Sequence, residues 1–175
     1  MGKFIDKIKV WVIFVISAGV LITLDLWLKV WAENNLQNNP PRILINGFLG
    51  LRYTENTGAA FGFLSGQDWA IWILSIVKIL LIIFILIYYY KLPLEKKYWL
   101  ARIPAILVFA GGVGNFYDRV AMGAVRDMFE FLFMRFAIFN LADVFIVSGI
   151  ISWAVFEIFV IKDFVGEKPD SAEHK

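Results

Sequence analysis

The chain has 175 residues, of which 60% are hydrophobic and 18% charged, with a formal net charge of +2. Soluble domains are about half apolar and a quarter charged, so an ordinary water-soluble globule and a disordered chain are both excluded, and a bilayer is the natural solvent. The small net charge leaves no nucleic-acid footprint, and with no cysteine and a single histidine, His174 in the polar tail, thiol, haem-attachment, zinc-thiolate and Ser–His chemistry drop out.

A bilayer-spanning helix needs about 20 mostly apolar residues, and four stretches qualify: 10–31, 69–90, 99–117 and 139–161. Lys3, Lys7 and Lys9 precede the first. That stretch is too long for a cleaved signal peptide and no small-residue cleavage site follows it, so it reads as an uncleaved anchor. It contains Asp25 and Lys29, four apart on one helix face, which suits either a surface ion pair or a site. The connection 32–68 is longer than a bundle requires. It includes the loop signal Asn39-Pro40-Pro41, and the runs 42–46 and 48–54, separated by Gly47, predict a small β-ribbon.

The second span carries Lys78 at its middle, which reads as a pairing or snorkelling lysine. Lys91, Lys96 and Lys97 fill the short link to the third. There, Gly111-Gly112-Val113-Gly114 lacks the last glycine of a dinucleotide-binding loop, because Tyr117 stands in its place, and reads as small residues for close helix packing. Asn115, Asp118 and Arg119 follow on one helix face; Asp118 with Arg119 reads as an interfacial anchor pair. The connection 118–138 includes a predicted strand at 126–133 that carries Asp127. Asn140 and Asp143 share a face at the start of the fourth span. No repeat is present; residues 1–165 read as one integral membrane domain and 166–175 as a polar tail. The fold class is therefore a membrane all-α core of four spans with a small extracytoplasmic β-ribbon.

Lysine bias orients the bundle. The two termini and the link between spans two and three hold Lys3, Lys7, Lys9, Lys91, Lys96, Lys97, Lys162, Lys168 and Lys175, and the other two connections hold arginines only. Both termini are predicted cytoplasmic. Asp25, Asn56, Asn115, Asp118, Arg119, Asp127, Asn140 and Asp143 then gather at one depth near the outer interface. Ionisable groups inside a membrane are costly and mark sites or partners. Two close carboxylates cannot both ionise, so a pair can hold one shared proton, activate water with the ionised member and polarise a carbonyl with the protonated one. Spacing leaves the choice open among Asp25, Asp118, Asp127 and Asp143.

Five blocks in order narrow the choice: Asp25 with Lys29; Asn56-Thr57-Gly58-Ala59-Ala60-Phe61-Gly62; Gly111 to Arg119; Gly123-Ala124-Val125-Arg126-Asp127; and Phe139-Asn140-Leu141-Ala142-Asp143. With these, the chain resembles the lipoprotein signal peptidases, the type II signal peptidases of bacteria, over about residues 10–160. The resemblance implies an aspartyl endopeptidase of the cytoplasmic (inner) membrane, with its site at the outer face. Such an enzyme removes the signal peptide of a prolipoprotein just before a cysteine that bears diacylglycerol. It implies Asp127 and Asp143 as the catalytic dyad and no covalent intermediate. Asn56, Gly58, Asn115, Arg119 and Asn140 would give polar support, and Asp25, Lys29 and Asp118 structural or substrate-orienting roles. It implies no cofactor and no metal, a lipidated prolipoprotein and membrane lipid as partners, no nucleic acid, and a globomycin-like cyclic peptide as inhibitor. Leu26, Arg126 and Val144 depart from the family pattern. Arg126 is expected to point away from Asp127, because alternate strand residues face opposite sides. Two other classes compete: a small channel or transporter component, and a noncatalytic scaffold held together by the polar cluster. A presenilin-type protease lacks its Gly-x-Gly-Asp block here.

Overall fold

The computed structural model describes residues 2–58 and 68–158. Helix α1 (Gly2–Leu36) leads into a hairpin of β1 (Arg42–Ile45) and β2 (Leu49–Asn56). Helix α2 (Asp68–Lys91), a short 3-10 turn (Lys96–Tyr98) and helix α3 (Trp99–Met122) follow, then β3 (Val125–Phe131) and α4 (Leu141–Phe156). Residues 59–67, which include most of the Asn56–Gly62 block, and the tail 166–175 lie outside the described residues, as does the end of the predicted fourth span.

Among the described residues three helices are long and apolar enough to cross a membrane, and α4 is a shorter apolar helix of 16 residues. Their outward faces are apolar: Trp72, Leu80, Phe84, Ile87 and Ile151 are all exposed. Side chains of this kind on several adjoining helices need lipid around them. Helix α1 overruns its predicted ends on both sides, because no proline stands before Pro40-Pro41, and a residue before proline is driven out of the helical region. Helix α3 overruns residue 117 and takes in Asp118 and Arg119. It stops at Gly123, whose φ of 73° is left-handed and whose N–H reaches the Arg119 carbonyl at 3.0 Å.

The contacts set the helix directions. The Tyr89 hydroxyl, near the end of α2, donates to the Val10 carbonyl, near the start of α1 (2.9 Å). Val10, Phe14, Ile85, Tyr89, Ala105 and Val108 form the main core there. At the other end Asp25 of α1 meets Ala142 of α4, and Asn115 of α3 meets Asp143. Neighbouring helices in sequence are thus antiparallel, and the polar half of α1 and α3 lies beside the start of α4. Close approach makes this possible. A Cβ on Gly111 would overlap the Ala142 carbonyl, and one on Gly114 would overlap the Asp25 carboxylate. The glycine-rich run is therefore a packing surface, as its place in an apolar span suggested.

The predicted ribbon is larger than its sequence signal. β3 joins it to make an antiparallel sheet ordered β1-β2-β3, and it ends at Phe131, two residues before the predicted limit. A register shift between Leu51 and Thr54 places Thr54 opposite Asp127 and Asn56 opposite Val125. After β3 the chain folds back, and Phe139 exchanges two backbone hydrogen bonds with Phe129 (2.8 and 3.0 Å). That pairing sets Asn140 beside β3 and starts α4 there.

Candidate active site

The polar residues form two layers. The lower one is a closed charge network. Lys29 and Asp25 are fully buried and 2.8 Å apart; Lys29 also donates to Asn115 Oδ1 (2.9 Å) and lies 3.6 Å from Asp118. The Ala142 N–H, in the first turn of α4, donates to Asp25 (2.8 Å), tying α1 to α4. The pair is thus no surface bridge, as its spacing alone allowed. Asp118 does not pair with Arg119. Its carboxylate receives two bonds from the Arg126 guanidinium (2.6 and 3.2 Å) and one from the Arg126 N–H (3.1 Å). Arg126 continues to Glu33 at 2.9 Å. Strand alternation thus turns Arg126 away from Asp127, and two carboxylates hold its charge.

The upper layer carries Asp127 and Asp143, joined by asparagines. Asn140 Nδ2 donates to Asp127 Oδ1 (2.6 Å) and to Asn115 Oδ1 (3.0 Å). Asn140 also caps α4. Its side chain accepts the Asp143 N–H (3.0 Å), and its own N–H donates to Asp143 Oδ2 (3.2 Å), a reciprocal box that fixes both residues. Asn115 Nδ2 donates to Asp143 Oδ1 at 2.7 Å, and Asn56 Nδ2 to Asp127 Oδ2 at 3.3 Å. Asn56 Oδ1 accepts the Gly58 N–H (3.0 Å), while Arg119 donates to the Gly58 carbonyl (2.7 Å) and its buried Nε has no partner among the described residues. All ten residues singled out in the sequence therefore come together at one end of the bundle. Three or more metal-ligating side chains converge nowhere among the described residues.

Burial, and then the charge of Asp143, push the Asp127 carboxyl up to about 7, against the hydrogen bonds from Asn140 and Asn56. Between its ordinary value of 3.8 and about 7 the folded state holds a proton that the unfolded state has lost. Stability from this group is complete below the lower value and is lost as pH rises through the upper one. Asp127→Asn removes that titration. The variant is expected to gain Tm relative to the parent as the pH is raised from about 4 to about 8, measured by calorimetry in detergent. A Tm difference independent of pH would contradict the assignment.

Both carboxylates line a cavity of about 560 Å³ whose deeper wall is apolar, with Leu74 and Val77 from α2 and Val144 and Val147 from α4. A buried and a half-buried carboxylate, without an ion-pair partner among the described residues and opening on an apolar groove, suit hydrolysis of a bond held at a lipid boundary.

Comparison with known proteins gives the family. The family model described as Signal peptidase (SPase) II matches residues 17–159. The chain belongs to the signal peptidase II family. A lipoprotein signal peptidase of Clostridioides difficile is 37% identical over 84% of this chain and 95% of its own length. One of Streptococcus thermophilus is 40% identical over 75% and 82%, and one of Enterococcus faecalis 36% over 80% and 84%. A solved bacterial membrane enzyme superposes with a TM-score of 0.75 at 26% identity, covering 91% of this chain and 94% of its own. The protein is thus a multi-pass membrane protein and a protease of the signal peptidase II family. One residue at this site escaped the sequence reading, and the place of another, read as a pairing or snorkelling lysine, did not follow from it. Glu33 lies four residues after Lys29 on the same helix face, a spacing that could have found it. Lys78 lines the cavity.

Proposed function

We propose that this signal peptidase II family member is an aspartyl endopeptidase. It removes the signal peptide from diacylglyceryl-modified prolipoproteins, just before the lipidated cysteine. Both termini lie in the cytoplasm and the site at the outer face of the inner membrane. One observation supports the reading most: Asp127 and Asp143 are bridged by a single asparagine at the polar end of an apolar cavity.

In this reading the pair shares one proton, and Asp127, whose carboxyl burial pushes up to about 7, is its carrier. Asp127 donates to the scissile carbonyl while its partner takes a proton from water. The tetrahedral intermediate collapses to the released signal peptide and the new N-terminus, with no covalent enzyme adduct. Arg119 and Asn56, at the same rim, face the developing oxyanion with donor groups. A globomycin-like cyclic peptide would compete for this cavity. The buried lower layer, Asp25, Lys29 and Asp118, holds Asn115 and α4 in place for the pair.

The test is a purified prolipoprotein offered in detergent with and without its diacylglyceryl group. Mass spectrometry is expected to show a new N-terminal lipidated cysteine from the modified form alone. Equal cleavage of both forms would remove lipid recognition from the reading. No cleavage by folded protein would favour the transporter or scaffold alternatives.

A further inference from the structure

We propose that Lys78 is a substrate-binding residue, whose ammonium takes a carbonyl oxygen of the bound prolipoprotein within the cavity, deeper in the membrane than the scissile bond. The inference rests on the peptidase reading.

Leu74, Val77 and Lys78 recur at helical spacing on the face of α2 that lines the cavity, opposite Val144, Val147 and Ser148 of α4. The groove between them is apolar apart from Lys78 and Ser148. Lys78 has no hydrogen bond or ion pair among the described residues, whereas Lys29, at the same end of the bundle, is enclosed by Asp25, Asn115 and Asp118. Its direction follows from the fold. The start of α2 lies beside the end of α3, where Ile71 faces Gly123. Helix side chains lean toward the N-terminus, so the Lys78 stem leans toward the dyad.

An ammonium has three donors and no acceptor, so its ligand must accept. A lysine here is costly in the membrane, and an apolar residue would close the groove wall at no such cost. A prolipoprotein brings carbonyl oxygens from two sources: the peptide bonds of its extended segment near the cleavage point, and the two acyl esters of its diacylglyceryl group.

The test is steady-state cleavage in detergent by the parent, Lys78→Met and Lys78→Arg. Each receives a diester-lipidated prolipoprotein and its dialkyl-ether analogue. Lys78→Met is expected to raise KM about tenfold on the diester with kcat little changed, the loss of one charge-assisted hydrogen bond, and Lys78→Arg to restore most of it. A rise that vanishes on the ether assigns the ester carbonyl; one of equal size on both assigns the peptide. Unchanged KM, a fall in kcat alone, or an arginine variant no better than methionine overturns the inference. Failure of the parent to cleave either substrate refutes the peptidase reading itself.

Discussion

Asp127→Asn and Asp143→Asn are each expected to lower kcat on a lipidated prolipoprotein by on the order of 10³-fold or more, the scale of positioned acid–base catalysis, with KM little changed. Asparagine keeps the shape of the side chain but has one acceptor oxygen, so it meets one of the two donors at each position: Asn140 or Asn56 at 127, and Asn115 or the Asn140 N–H at 143. It cannot take or give the proton. The double variant is expected to be no worse than the poorer single one, because both changes disable one unit and their costs do not add. Kinetics with detergent-solubilised protein decide this. A loss of less than about tenfold in either variant, or clean multiplication in the double, would be incompatible with a shared proton.

Lys29→Met carries the largest expected cost in stability. It strands Asp25 and Asp118, both fully buried, with one cation removed from between them. Breaking a buried pair in this way costs about 3–5 kcal/mol. Asp118 keeps Arg126, so the penalty falls chiefly on Asp25, whose remaining donor is the Ala142 N–H. Adding Asp25→Asn to Lys29→Met is expected to recover part of the loss, since a neutral side chain needs no counter-charge. Unfolding in graded detergent mixtures measures both. If Lys29→Met unfolds like the parent, the lower layer does not hold α1 to α4 in the way the geometry indicates.

The apolar spans were legible in the sequence because hydropathy is a local property. Helix ends were less so: α1 and α3 overran their predicted limits because capping and breaker residues, not hydropathy, stop a helix, and Gly123 and Pro40-Pro41 stand beyond the apolar stretches. The gathering of polar residues at one depth followed from topology alone. Their wiring did not. Adjacent Asp118 and Arg119 looked like a pair, yet one helical residue apart they diverge by about 100°, and Asp118 finds Arg126 across the turn instead. The contact between Asn56 and Asp127 depends on a register shift within β2, and register is a tertiary outcome. Lys78 read as a snorkelling lysine because nothing in its neighbourhood along the chain tells which way its helix face turns.

Four buried or half-buried carboxylates compete for the chemistry, and one experiment separates them. Asp25→Asn, Asp118→Asn, Asp127→Asn and Asp143→Asn are each purified, checked for folding and given the same diacylglyceryl prolipoprotein, with cleavage followed by gel shift. The dyad predicts that folded Asp127→Asn and Asp143→Asn yield no product, while Asp25→Asn and Asp118→Asn are less stable yet still cleave in their folded fraction. Cleavage by folded Asp127→Asn or Asp143→Asn would contradict it.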